Sequence, residues 1–371
     1  MKHFRVYSFV LLVACNLACC NPAAAQLILA NYKTQAPNPQ SQASENPLYT
    51  QQDVLEFKLA MDYKALLKDR GEERSYHPAI LSYTDSAGLV TVLNLKVMVR
   101  GNRRRDPKVC DFPPLMLNFQ RKTSQHSIFN KVNKVKLVTH CLNDDYVIRE
   151  FLVYKLYNVL TNNSFRVRLC RVTYEDLNDK RKKEQQYAFM IEDDDEMAER
   201  NKCQDVPKEA RITMKDTEEE STAIFTFFQY MIGNTDWSVP YRHNVELITP
   251  DNYKTAIPVP YDFDYAGIVQ TPYASPPPEL GISTVRQRLF RGYTYSDNTY
   301  RKTINTYNAL RTALYGVYTL NPHLDKSYLK RTIKYLDEFY ETINNPKDFD
   351  RKIARVGQKN QENYVVVKGM E

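Results

Sequence analysis

The chain has 371 residues, 43% hydrophobic and 12% aromatic, with 27 tyrosines against 10 glycines. That length suits two lobes of about 150 residues each, and the composition supports a sizeable core, with no repeat or low-complexity tract. The net charge of +7 is dispersed, because the basic runs RGNRRR and KRKK stand near the acidic runs EDDDE and KDTEEE. This is a patterned solvated surface and not a nucleic-acid-binding stripe.

Residues 1–25 read as an export signal: a basic head (Lys2, His3, Arg5), the apolar run VYSFVLLVACNLACC, and an A-x-A site at Ala23–Ala25. Two processing routes are open, cleavage after Ala25 or lipid attachment at Cys15 in LVAC, and an uncleaved anchor is a third reading of the same run. Either of the first two places the protein in the periplasm, the cell envelope or outside the cell. Residues 26–50 are rich in Pro, Gln and Ser and are expected to be a flexible linker. Three of the seven cysteines lie in the signal; Cys110, Cys141, Cys170 and Cys203 remain, an even set compatible with two disulfides in an oxidising compartment. The expected pairs are Cys110–Cys141 and Cys170–Cys203, each flanking neighbouring elements.

From residue 51 the pattern becomes ordered. DVLEFKLAMDYKALLKD opens a strand and then a turn or short helix; LVTVLNLKVMVRG reads as a strand pair, and PPLMLNF and KVKLVTH as two further strands. In YVIREFLVYKLYNVL the apolar residues recur at steps of three and four, which predicts an amphipathic helix over 146–161. SFRVRLCRVTYED and EQQYAFMIEDDDE form a hairpin. The segment 221–234 is a buried helix with a left-handed cap at Gly233 or Asn234. The polar TDWSVPYRHN, a short strand VELI and a strand carrying Asp262 and Asp264 follow, then two helices from about residue 299. The expected class is α+β, a two-lobed protein-kinase-like fold: an antiparallel β-rich N-lobe with one long helix (51–196) and a mainly helical C-lobe (197–371).

Three constellations carry chemistry. Asp262 and Asp264, two apart on a strand, share one face and suit a hard divalent cation, Mg²⁺ or Mn²⁺; the plainer reading is a turn aspartate beside a surface one. In GNTDWSVPYRHN, Asp236 is placed to take a proton from a hydroxyl nucleophile and Asn244 to offer a carbonyl oxygen to a metal. His243 reads as an orienting residue and the lone Trp237 as core. In the first half, Lys136 and Glu150 are spaced to pair across a nucleotide's phosphates, with Lys134 a second candidate lysine, while Arg100 opens a basic run able to close over them. Glu192 follows a strand where a hinge contact to the ligand is expected.

The segments RGN, KVKLVTHC, YVIREFLVYKLYN, FMIEDDDE, GNTDWSVPYRHN and PYDFD resemble the CotH-type (spore-coat protein H-like) family over about residues 90–270. The resemblance implies an atypical kinase that transfers phosphate from ATP to protein serines. It would make Asp236 the catalytic aspartate, Asn244 and Asp262 the Mg²⁺ ligands, and Asp264 a supporting carboxylate. The expected partners are a nucleotide and a protein or cell-surface acceptor, with no nucleic acid. The alternative is a non-catalytic envelope-binding module with a structural metal site; a sugar-nucleotide transferase using the D-x-D is a third reading.

Overall fold

Strict alternation writes the first half. β1 (Leu55–Met61) buries Leu55, Phe57, Leu59 and Met61 and turns Glu56 and Lys58 outward, the two-residue period of a sheet with one dry face. The same rule carries β2 (His77–Thr84), β3 (Val90–Val99), β4 (Leu115–Phe119) and β5 (Lys134–Val138). The computed structural model describes residues 46–85, 87–250, 255–363 and 365–368. The expected export signal, with Cys15 and Ala25, and all but residues 46–50 of the expected linker lie outside them. Residues 47–50 form one helical turn that buries Leu48 and Tyr49.

The sheet corrects the expected antiparallel β-rich lobe of a two-lobed fold. With β6 (Val167–Asp176) and β7 (Glu184–Ile191) the strands close into a seven-stranded barrel in the order β1-β2-β3-β4-β5-β7-β6. Six neighbouring pairs are antiparallel and the closing one is parallel, Leu55–Met61 running alongside Cys170–Asp176. Closure removes the unpaired edges of an open sheet. Alternation reports which face of β1 is dry but says nothing about which strand lies beside it. The parallel partner, more than a hundred residues away, therefore left no local signal. The expected strand pair at 89–101 is also one continuous strand, β3. Leu59, Leu81, Leu95, Val97, Leu115, Leu117 and Leu137 fill the barrel.

Helix α1 (Asp144–Leu160) connects β5 to β6. It is capped by Asn143, whose side chain accepts from the Tyr146 amide, and it carries Asp144 and Asp145 in its first turn. It is buried on nearly every side, between β7 and a second core that includes Phe227, Phe228, Tyr307 and Phe339. The helix α2 (Asp194–Arg200) follows β7. Helices are the main regular structure of the second half, as expected, but it is not purely helical. It holds a three-stranded antiparallel sheet, β8 (Cys203–Asp205), β9 (Val245–Pro250) and β10 (Ile257–Pro260), in the order β10-β9-β8. Three long helices accompany it: α3 (Glu219–Ile232), α4 (Asp297–Thr319) and α5 (Lys326–Asn344). Residues 261–296, between β10 and α4, are irregular apart from a short turn at Pro278–Leu280. A closed mixed barrel joined to this sheet replaces the two-lobed kinase-like layout.

Cys110 and Cys141 form the expected disulfide. Cys170 and Cys203 are not bonded to each other, because Cys170 lies in β6 of the barrel and Cys203 opens β8 of the other sheet. Beside the disulfide, His140 is 9% exposed and stacks on Phe112 at 5.2 Å. Burial pushes its imidazole down to about 4. Between that value and the ordinary value of about 6.5 the unfolded chain binds more protons than the folded one, so stability falls as pH falls through the window. Wild type should lose up to about 3 kcal/mol more than His140→Phe between about pH 7 and pH 4. Urea denaturation of both proteins across that range measures the difference, and parallel curves would refute the assignment.

Candidate functional site

The site begins where α3 stops. Gly233, at φ +67°, caps the helix in the left-handed region, and the chain turns into Asn234–Asp236. The Asn234 side chain accepts from the Asp236 amide at 3.0 Å, and the Asn234 carbonyl accepts from the indole N–H of Trp237 at 3.2 Å. Trp237 is buried edge-on against Phe225. Asp236 is thus held between a capped helix and a core anchor. A tight reversal follows, with Ser238 and His243 exchanging backbone hydrogen bonds and with Arg242 and Asn244 at positive φ. This folds His243 and Asn244 back onto Asp236. The Asn244 amide donates to Asp236 Oδ2 and to its carbonyl, both at 2.9 Å, and His243 Nε2 lies 3.1 Å from Asp236 Oδ1. The hydrogen bond to Asp236 raises the imidazole's pKa against the opposing effect of burial.

The neighbouring strand brings the next carboxylate. β10 runs antiparallel to β9, and the Tyr261 amide donates to the Asn244 carbonyl at 3.1 Å, which sets Asp262 beside Asn244. Asp262 sits at φ +57°, and its amide donates to the Tyr154 hydroxyl on α1 at 2.9 Å. β10 ends at Pro260, so Asp262 and Asp264 lie in the following loop and not on one face of a strand, as the sequence suggested. They meet through a residue that sequence reasoning did not single out. Arg104, 9% exposed, contacts Glu150 Oε2 at 2.9 Å, Asp262 Oδ1 at 2.5 Å and Asp264 Oδ2 at 3.3 Å. The arginine run was visible, but which of its members turns inward is decided by the tertiary fold.

Burial drives both Glu150 and Asp264 toward their neutral forms, opposed in each case chiefly by Arg104. Asp264 also accepts from the Tyr273 hydroxyl at 3.0 Å. The expected Lys136–Glu150 pair is absent. Glu150 belongs to Arg104, and Lys136 Nζ lies 2.6 Å from Asp194 at the start of α2. Lys134 is exposed on β5. Glu192, expected at the ligand, spends its carboxylate on Arg200, at 2.9 and 3.0 Å, and on the Arg166 amide. It braces α2 against the barrel and does not line the cleft.

Arg100, Arg104 and Lys136 line one cleft with Glu150 and Asp262, walled by Val138, Phe165 and Ile191. Arg100 is half-buried, and burial lowers its pKa, with Asp262 the largest opposing influence. Its guanidinium makes no hydrogen bond or ion pair among the described residues. The fold therefore brings together Asp236 with Asn244, and Arg100, Lys136, Glu150 and Asp262 around one cleft, with Asp264 behind Arg104.

Among the described residues no three His, Cys, Asp or Glu side chains are grouped to hold a metal by themselves. The Asn244 amide oxygen and the second Asp262 oxygen have no hydrogen-bond partner among the described residues. Two such oxygens fit Mg²⁺, which takes one or two protein ligands and completes its shell with phosphate oxygens and water. Asp264 does not fit as a ligand, being buried and engaged by Arg104 and Tyr273.

No family model matches the chain, and no curated protein matches it. Among solved structures, the Helicobacter pylori proinflammatory kinase CtkA matches at 11% identity over 67% of this chain and 93% of that one, with a TM-score of 0.35. A chain of the Shewanella oneidensis MR-1 toxin–antitoxin complex of HipA, HipB and operator DNA matches at 15% identity over 63% of this chain and 61% of that one, with a TM-score of 0.30. TM-scores of that size settle neither the fold nor the chemistry of this chain.

Proposed function

We propose that the protein is an exported phosphotransferase that uses Mg²⁺ and ATP to phosphorylate a hydroxyl, a serine of a protein or a cell-surface acceptor. One observation carries the reading: the guanidinium of Arg100, half-buried in a cleft beside Arg104 and Lys136, makes no hydrogen bond or ion pair among the described residues. A half-buried cation whose burial is opposed chiefly by the charge of Asp262, without a direct hydrogen bond, leaves its N–H groups free for an anion, and a planar guanidinium suits phosphate. The resemblance of the GNTDWSVPYRHN and PYDFD segments to CotH-type kinases supports the same chemistry, and the basic and apolar stretch at residues 1–25 supports export.

Asp236 would accept the proton as the acceptor oxygen attacks the terminal phosphorus, and ADP would leave as the bond to the β-phosphate breaks. Asn244, bonded to the Asp236 carboxylate, fixes its direction. Arg100 would bind and orient the polyphosphate. Asn244 and Asp262 would hold the metal, which when bound would neutralise charge on the phosphates.

A second reading has its own support. Arg104 already serves Glu150, Asp262 and Asp264 together, so the cluster holds without a metal ion, which supports a non-catalytic envelope-binding module though not the structural metal site expected with it. Thermal melting separates the two. Mg²⁺ with ATP at about a hundred times its dissociation constant should stabilise wild type by about 2.7 kcal/mol. ATP with a chelator should give much less, and Arg100→Ala should lose the response. Absence of any nucleotide-dependent shift in wild type would leave the binding module standing. No helix among the described residues is long and apolar enough to cross a membrane, and a lipid anchor at Cys15 remains part of the proposal.

A further inference from the structure

We propose that Arg291 is a positioning residue for Asp236, held in its turn by Asn360; the inference rests on Asp236 as the proton acceptor. Arg291 is 6% exposed, and its Nη1 donates to the carbonyls of Thr235 at 2.6 Å and of Trp237 at 2.7 Å. These are the residues on either side of Asp236, so one nitrogen fixes the backbone both before and after the carboxylate. The guanidinium also lies 5.3 Å from the Trp237 ring centre, closing the loop against its buried anchor.

The arrangement repeats one layer further out. The Asn360 side-chain amide donates to the carbonyls of Phe290 at 3.0 Å and of Gly292 at 2.9 Å, on either side of Arg291. Phe290 packs edge-on against Phe227 and Tyr230. A Cβ at Gly292 would fall 2.9 Å from that of Thr226, so only glycine allows this approach to α3. The backbone around Arg291 is thus fixed on the same helix that delivers Asp236. A buried guanidinium is costly unless its N–H groups are satisfied. Here it is aimed at the backbone of the loop that holds the proposed base. A lysine, whose ammonium ends one bond short of Nη1 and lacks the flat guanidinium that faces the Trp237 ring, does not reproduce that geometry.

Trp237 is the single tryptophan of the chain, so its fluorescence reads this loop without assignment. Arg291→Lys, Arg291→Ala and Asn360→Ala would be compared with wild type by acrylamide quenching, thermal melting and phosphate transfer. Misplacement of a reacting group by about 1 Å costs on the order of 100-fold in rate. The expected result is therefore a kcat lower by about that factor in the Arg291 variants, with the KM for ATP nearly unchanged, and a smaller loss in Asn360→Ala. Trp237 should become more open to acrylamide in the same order while the Arg291→Lys protein keeps a cooperative melt. Unchanged quenching in folded Arg291→Lys overturns the proposal, as does a loss of activity that only follows loss of fold. If wild type transfers no phosphate, the functional reading fails, yet quenching still decides whether Arg291 holds the loop. Where Arg291→Ala does not fold, Arg291→Lys and Asn360→Ala supply the answer.

Discussion

Arg104→Ala is expected to lower the unfolding free energy by about 3–5 kcal/mol, the usual cost of removing one partner from a buried ion cluster. The residue contacts Glu150, Asp262 and Asp264, of which Glu150 and Asp264 are almost wholly buried. Its loss strands those two carboxylates without water or counter-charge. They would then be neutral in the folded state or the fold would open to hydrate them, and either response costs stability. Arg104→Lys should recover only part of the loss, since one ammonium cannot present nitrogens to three carboxylates in different directions. Adding Glu150→Gln to Arg104→Ala should restore only part of the stability, because one stranded charge goes with it and Asp264 stays buried without its counter-charge. Denaturant melts of the two single variants and the double variant form a cycle that measures the coupling. If Arg104→Ala costs less than about 1 kcal/mol, the cluster is not the electrostatic hub described here.

Much of the local structure was legible in the sequence. The dry face of β1, the helix of α1, the left-handed cap at Gly233 and the Cys110–Cys141 pairing each depend on signals within one segment or on nearby segments. The barrel was not legible, because its closing contact joins Leu55–Met61 to strand β6 by backbone hydrogen bonds, which any strand can make and no side-chain pattern specifies. The site shows the same division. Asp236, His243 and Asn244 lie within nine residues, and the reversal that folds them together is local. The Lys136–Glu150 pair was drawn from spacing along the chain, whereas the actual partner of Glu150 comes from a turn 46 residues earlier. Glu192 shows why a charge after a strand is weak evidence for a ligand contact. An arginine on the next helix, eight residues away, takes it.

Phosphate transfer itself should respond most to Asp236. Replacing it by asparagine keeps the side chain's size and shape but removes the proton acceptor, and general bases contribute about 10²–10⁴-fold to rate. Transfer by Asp236→Asn should fall within that range, while the Mg²⁺- and ATP-dependent thermal shift persists, because the substitution leaves Arg100 and Asp262 in place. The effect on stability should be small: the side chain is 22% exposed and its partners, His243 and Asn244, belong to the same loop. Arg100→Ala should behave in the opposite way, losing the shift along with the activity. Single-turnover transfer with labelled ATP, measured beside the melting curves, distinguishes the two patterns. Transfer by Asp236→Asn within about tenfold of wild type would mean that the proton goes elsewhere. The contacts of His243 and Asn244 with Asp236 would then serve to shape the loop, with no part in directing a base.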